Sequence, residues 1–490
     1  MNKSPAPIIA ILPIAILIFL LTLIIPLFGS DALSGGSQIA LLTTTAICVF
    51  IGIAFYKQRW DNFEKAIVNN ISGVSTALII LLIIGALSSI WMISGVVPTL
   101  IYYGVQIIHP KFFLASTCII AALVSVMTGS SWTTIATIGI ALMGIGRAQG
   151  FSDGWIAGAV ISGAYFGDKI SPLSDTTILA SSISETPLFQ HIRYMLITTI
   201  PSLCITLILF GIAGFAQTAN STDQIGGFVN ELGERFIITP WLLLVPLITA
   251  ILIAKKVPSI ITLFISTLLS AIFAIIFQPE ILLEIANSVN TSYSKSIFKG
   301  TLLTLYGDTQ ISTNNSLLTE LVSTRGMAGM LNTIWLIICA MCFGGAMTAA
   351  GMIKSITNAF TGFIKNRLSL VSSTVGSGLF LNLATADQYI SVILTSNMFK
   401  DIYKKMGYES RLLSRTTEDA VTVTSVLIPW NSCGMTHATI LSVPTMTYLP
   451  YCFFNIISPF MSIFIAAIGY KIFKREPSSL NLNELDKKES

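Results

Sequence analysis

The residues able to do chemistry in this chain are few, and most are oxygen donors gathered at short polar interruptions of an apolar sequence. The run SPLSDTT, 171 to 177, sets Asp175 beside Ser174, Thr176 and Thr177. Hard oxygen donors of this kind suit a small alkali cation better than a soft metal, and an ionisable group within an apolar segment marks a functional position. The plainer role for Asp175 is an N-cap, but a cap alone does not require a charge at that depth. Asp387 is its counterpart, with Thr385 and Gln388 beside it and Asn382 just before; a solvated turn is the competing reading. Asp168 and Lys169, an adjacent acid and base, either neutralise each other or leave Asp168 to carry a proton. Ser130, Ser131, Thr133 and Thr134 offer neutral ligands in the first half, and Asn431 and Ser432 in the second, although hydroxyls in membrane helices also bond between helices. The expected cation ligands are therefore Asp175, Asp387, Ser131, Thr134, Ser174, Thr385, Asn431 and Ser432, with Asp168 and Asp175 as proton-coupling groups.

Other polar residues carry less. His437 follows the second interruption and reads more readily as a packing residue than as a proton shuttle. Glu418 and Asp419, next to a basic loop, read as an N-cap or an exit-side acid, and His109 and His191 as interfacial. Cys339 and Cys342 form a CxxC, but within a helix that spacing puts two small residues on one face, and further zinc ligands are not beside them. No cofactor is expected beyond transported Na+ and H+.

The elements that must position these groups are membrane helices. Hydrophobic residues make up 53% of the 490 and charged residues 10%. A span needs roughly 20 apolar residues, so the chain holds on the order of ten spanning or half-spanning segments. The first apolar run, Ile8 to Phe28, is longer than a signal-peptide core and no small-x-small cleavage site follows, so it reads as a retained helix. A net charge of +4 is too small to imply nucleic acid. Basic residues concentrate instead at Lys57 to Lys65, Lys255 and Lys256, Lys400 to Arg415, and Lys471 to Arg475; the positive-inside rule makes these loops, and both termini, cytoplasmic. Stretches 217–240 and 279–325 then lie outside.

The first half of the chain is faintly repeated in the second. ISGVVPTLIYYG at 93–104 aligns with AAGMIKSITNAF at 349–360, TGSSWTTIATI at 128–138 with LATADQYISVI at 383–393, and SPLSDTTILAS at 171–181 with IPWNSCGMTHA at 428–438. Gly95 meets Gly351, Gly129 meets Ala384 and Pro172 meets Pro429, at offsets of 256, 255 and 257. The basic loops orient the two copies oppositely, as in inverted-repeat transporters. About 33 residues separate Arg367 from Lys400, both cytoplasmic, whereas two crossings need roughly 40, so a re-entrant hairpin turning near 383–388 is expected, with a counterpart at 128–132. Each is followed by a proline-broken segment, tolerated at membrane depth where it lines a cavity. The expected fold is all-α and polytopic: N-terminal helices and a cytoplasmic loop (1–74), repeat one (75–216), a linking segment with two helices and an extracellular loop (217–330), repeat two (331–472) and a cytoplasmic tail (473–490).

TGSSWTTIATIGIALMGIG at 128–146 followed by GAVISGAYFGDKISPLSDTTILAS at 158–181 resembles the signature region of the NhaC-type sodium/proton antiporters, whose relatives include malate/lactate exchangers. The likeness extends over about 57–472. It implies paired re-entrant hairpins, a scaffold with a mobile transport part, and frequently a homodimer, and by position it places the motif acid at Asp175 and the preceding acid at Asp168. The expected function is secondary antiport of sodium against protons across the bacterial cytoplasmic membrane by alternating access. The alternative is exchange of organic acids of the malate/lactate type, or of amino acids; there Lys169 is the only obvious cation near the site, and a small organic anion joins membrane lipid as a partner. An enzyme is not expected, since the three histidines (His109, His191 and His437) are far apart in sequence.

Overall fold

The computed structural model describes residues 5–28, 35–216, 222–255, 257–287, 292–311 and 322–474, together with 313, 318 and 319. Among these the regular structure is helical, with only two isolated bridges, Thr309 to Thr324 and Tyr408 to Lys474. Eight helices are long and apolar enough to cross a bilayer, or up to ten if each of two bent pairs is one span. In hydrocarbon the backbone must satisfy its own hydrogen bonds, and continuous apolar runs with few interior breakers do so as helices. The chain is a multi-pass membrane protein.

The N-terminal part is α1 (Pro7–Phe28), α2 (Gly36–Tyr56) and α3 (Trp60–Gly73). The basic stretch expected as a loop is thus largely the helix α3, which buries Phe63. Repeat one comprises α4 (Ser75–Ile93), α5 (Val96–Ile107), α6 (Phe113–Thr128), α7 (Ser131–Thr134), a π-helical turn Ile135–Gly139, α8 (Ile140–Ala148), α9 (Asp153–Ile170), α10 (Asp175–Ile183) and α11 (Leu188–Ala216). The linking segment holds α12 (Thr222–Arg235), α13 (Leu244–Ala254), α14 (Ser259–Phe277), α15 (Pro279–Ala286) and α16 (Tyr293–Tyr306). That is five helices among the described residues rather than two. The expected pair is α13 and α14; the others are short or mixed in polarity, so hydropathy alone passes over them.

Repeat two comprises α17 (Leu331–Ala349), α18 (Met352–Thr361), α19 (Arg367–Thr385), α20 (Gln388–Lys405), α21 (Ser410–Thr417), a π-helical turn Glu418–Thr422, a 3-10 turn Ser425–Leu427, α22 (Ser432–Leu441), α23 (Thr445–Tyr448) and α24 (Phe453–Ile468). Residues 475–490 of the expected tail lie outside the described residues.

The two halves share a series of backbone landmarks. Gly95 (φ 86°) opens α5 as Gly351 (φ 71°) opens α18. Gly129 (φ 65°) ends α6 as Ala386 (φ 57°) ends α19, and Ser174 caps α10 as Asn431 caps α22. The first tip therefore registers on Ala386, two residues past the Ala384 of the sequence alignment. Apolar segments slide past one another without penalty in such an alignment, and the left-handed residue of the second tip is not a glycine.

Repeat one is held by the packing of α6 on α9. A Cβ on Gly163 would stand 2.1 Å from the Cys118 carbonyl oxygen, and one on Gly167 2.4 Å from that of Ala122. Backbone meets backbone there, and Ser125 Oγ donates to the Ala164 carbonyl at 2.6 Å.

Candidate functional site

In repeat two the chain leaves α19, reverses through left-handed Ala386, and enters α20 with Asp387 extended (φ −139°, ψ 138°). An extended residue at a helix start aims its side chain at the exposed first-turn N–H groups. Asp387 Oδ1 accepts from the Ile390 N–H at 2.9 Å, and Oδ2 from Ser432 Oγ at 3.1 Å. Thr385 Oγ1 donates to the Asp387 carbonyl at 3.0 Å and pairs with Ser391 Oγ at 2.8 Å. The proline-broken segment is bonded onto this tip: Ser432 N to the Ala386 carbonyl at 2.8 Å, Asn431 Nδ2 to that of Asn382 at 3.1 Å, and Trp430 Nε1 to that of Leu383 at 2.9 Å. Asn431 also caps α22 through the Cys433 N–H at 3.1 Å. Asp387 is 2% exposed, so this carboxylate is buried and hydrogen-bonded. It is not the solvated turn of the competing reading.

In repeat one Ser130 caps α7 by accepting from the Thr133 N–H at 3.2 Å. Ser131 donates its N–H at 3.1 Å and its hydroxyl at 2.7 Å to a single oxygen, Asp168 Oδ2. Thr134 is not part of this cluster; its hydroxyl bonds the Ser130 carbonyl at 2.9 Å and Thr128 Oγ1 at 3.0 Å, bracing the tip. Across the break, Thr177 Oγ1 donates to the Lys169 carbonyl at 3.0 Å, and Ser174 Oγ pairs with Thr176 Oγ1 at 3.0 Å. The N-cap of α10 is Ser174 and not Asp175. Asp175, the first helical residue, is exposed, and among the described residues its carboxylate has no hydrogen bond or ion pair.

The two half-sites converge. Tyr165 of α9 bonds His437 Nε2 of α22 at 3.1 Å, and the Trp132 ring lies 5.8 Å from that of His437. Gln388 Oε1 accepts from Ser425 Oγ at 3.0 Å and Cys433 Sγ at 2.6 Å. Tyr389 lies within electrostatic reach of Asp168, Asp175 and Asp387. Gln388 was named beside Asp387 but given no role; Tyr165 and Tyr389 carry no charge at neutral pH, so sequence reasoning missed them, and for Tyr389 proximity to Asp387 was the available signal.

Three expectations need correction. Lys169 does not neutralise Asp168 but is paired, fully buried, with Asp419; successive helix residues point about 100° apart, so the two neighbours face different partners. Glu418 and Asp419 N-cap no helix among the described residues and are not at an exit surface: both are 0% exposed in the π-helical turn, where Glu418 follows the C-terminus of α21. His191 is buried rather than interfacial and bonds Ser414 Oγ at 2.8 Å. Among the described residues no three His, Cys, Asp or Glu side chains are grouped to hold a metal ion by themselves.

The profile of the Na+/H+ antiporter family matches residues 163–470, from the middle of α9 through all of repeat two. This chain belongs to the Na+/H+ antiporter family. Within that family it is 36% identical over 433 residues to the Na(+)/H(+) antiporter NhaC of Alkalihalophilus pseudofirmus, covering 88% of this chain and 90% of the relative. It is 35% identical over 450 residues to the Malate-2H(+)/Na(+)-lactate antiporter of Bacillus subtilis, covering 91% and 92%. The Arginine/ornithine antiporter ArcD of Halobacterium salinarum is 32% identical over 480 residues, covering 97% and 95%. Asp168, Asp175 and Asp387 all lie within the stretch matched to the antiporter family, whereas the first tip precedes it.

Proposed function

We propose that this chain exchanges Na+ for H+ across the bacterial cytoplasmic membrane by alternating access, at a site formed by Asp168, Asp175 and Asp387 with the hydroxyls of Ser131, Ser174, Thr385 and Ser432. One observation carries the reading: two buried carboxylates, one in each repeat, are each bonded by a serine hydroxyl where a helix is interrupted. A hydroxyl that donates to a carboxylate keeps lone pairs for a cation. Na+ and H+ then compete, because a protonated carboxyl lacks the charge that holds the ion, and a site occupied by one or the other but not both couples the two fluxes. The shared landmarks support two repeats, and the basic loops support their opposed orientation with both termini inside, by the positive-inside rule.

Exchange of an organic acid or amino acid, as the names of two relatives suggest, needs cationic partners for a carboxylate. Lys169, the cation nearest in sequence, is engaged by Asp419, which favours the bare ion. Helix N-termini remain available to an anion, so the test must include both. Purified protein in liposomes with a trapped pH dye should show interior alkalinisation on external Na+ alone. A flux that appears only when malate, lactate or an amino acid is added would replace this reading with the alternative.

A further inference from the structure

The buried charges around Asp419 take no part in the ion site just described. Asp419 Oδ1 is bonded by Lys169 Nζ and, at 3.1 Å, by Thr198 Oγ1. Its other oxygen lies 3.9 Å from Arg415 Nε. Beside it, Glu418 is 0% exposed; the Thr422 hydroxyl lies beside its carboxylate, but among the described residues neither carboxylate oxygen meets hydrogen-bond geometry, nor does any guanidinium nitrogen of Arg415. Glu418 opens the π-helical turn, whose i→i+5 bond runs from the Val423 N–H to the Glu418 carbonyl. A buried, unpartnered ionised carboxylate is expensive, and π-helical turns inside helices recur at functional positions.

The surroundings point the same way. Arg415 stacks on Tyr194, 4.8 Å from the ring centroid. Tyr194 lines a cavity of about 660 Å³ together with Arg193, Arg411, Lys471 and Phe473, at the basic, cytoplasmic end of the molecule. On the other side Glu418 lies within electrostatic reach of Lys169 and Asp168. Among the elements packed on the π-helical turn, α21 contributes Arg415, α20 contributes Tyr403 (which interacts with Arg415), and α10 has Asp175 as its one charged residue. α19 has only Arg367, bonded to the Ala466 and Ala467 carbonyls, and α24 has no ionisable side chain. His191 of α11 faces Lys169. With Glu418 ionised, the set Lys169, Arg415, Asp419 and Glu418 is neutral; with Glu418 protonated it carries one positive charge.

We infer that Glu418 forms a second proton-binding site, apart from the carboxylates of the ion site, loaded from and unloaded to the cytoplasmic-end cavity, and coupled to the ion site through the neighbouring residues Asp168 and Lys169 on α9. The inference rests on the exchange proposed above. In the step, the Glu418 O–H bond breaks as Lys169 or Arg415 turns toward the carboxylate, and the proton passes to water in the cavity. Sodium bound at Asp168 shifts the end of α9 and with it Lys169, so ion occupancy sets the field at Glu418. Glu418 touches no transported sodium; it positions and carries the proton.

The test compares wild type with Glu418→Gln in the dye-loaded liposomes, reading Na+-driven H+ flux and, separately, exchange of radioactive sodium against sodium. The expected result is an H+ flux reduced about 10-fold or more with sodium–sodium exchange within about 2-fold of wild type. Unchanged H+ flux overturns the inference, and so does equal loss of both fluxes. If Glu418→Gln does not insert, Glu418→Asp retains an ionisable group on a shorter arm and should displace the pH midpoint of exchange; an unmoved midpoint overturns the inference as well. Infrared difference spectra of wild type between pH 5 and 9 give a readout independent of transport, a buried carboxyl band that Glu418→Gln removes, and persistence of that band overturns the assignment. Wild type with no Na+-evoked H+ flux, but with the band present and lost in the variant, counts against the exchange reading and leaves Glu418 as a proton site.

Discussion

The two halves of the ion site are built from matching interruptions, yet one is closed and the other open. Around Asp387 the broken segment is bonded onto its tip at three points, and the carboxylate has a donor on each oxygen. Around Asp168 Ser131 donates twice to one oxygen and the Ser174 hydroxyl of the break lies beside the carboxylate, while Asp175 and Pro172 are exposed. The helix that follows each hairpin differs as well: α9 runs unbroken for 18 residues, whereas its counterpart is divided into α21, a π-helical turn and a 3-10 turn. The two halves offer similar backbone frames. Under the exchange proposed here, the different side chains would let one half admit an ion while the other retains it.

The comparison breaks most sharply at Asp175. Because Ser174 makes the cap, Asp175→Asn removes a charge and nothing structural, so thermal stability should shift by less than about 0.5 kcal/mol while Na+-driven H+ flux falls by about 100-fold or more, ~2.7 kcal/mol. Flux near wild type at matched reconstitution density would take the open half out of the ion path. At the closed half, Asp387→Asn keeps the acceptor for the Ile390 N–H but loses the charge and the acceptor for the Ser432 hydroxyl, so sodium affinity should weaken about 10-fold or more, ~1.4 kcal/mol; titrating sodium against initial rate measures it. Competition also fixes the sign of the pH dependence. Lowering pH protonates the carboxylates, so the apparent KM for Na+ should rise as pH falls, by up to about 10-fold per unit below the ionisation of the site, and a KM that falls with pH would exclude a shared site.

The smallest effect compares the two tips themselves. Gly129 has positive φ and an added Cβ would stand 2.5 Å from the Leu173 side chain and 2.7 Å from its backbone carbon, so Gly129→Ala should destabilise by about 1–3 kcal/mol. Ala386 already bears a Cβ in the same conformation, and Ala386→Gly should stay within about 1 kcal/mol of wild type. Melting in detergent distinguishes these, and equal effects would show that the tips are interchangeable.

Much of this architecture is legible in the sequence because apolar runs must be helices in a bilayer, and because Pro172, Pro429 and the polar tips interrupt them. Family membership was legible for the same reason, in the residues around the first break. What escaped has physical causes. The register of the tips rests on one left-handed residue, which Ala386 adopts without being glycine. The partner of Lys169 lies 250 residues away, a pairing that spacing cannot reveal, and α12, α15 and α16 are too short or too polar for a hydropathy reading to separate from loop. Thr134 was grouped with Ser131 by proximity along the chain, but their hydroxyls point to different partners.

The glycine contact between α6 and α9 has a mechanical consequence. Two backbones that touch at Gly163 and Gly167, with a serine pinning one to the other at Ala164, leave no compressible layer between them, and close-packed interiors transmit strain rather than absorb it. The contact therefore makes α6 and α9 one stiff rod. Ser131 is attached to one of its ends through Asp168, and Lys169 grips the π-helical turn from that same end, so the rod joins the proposed ion site to the buried charges of the other half.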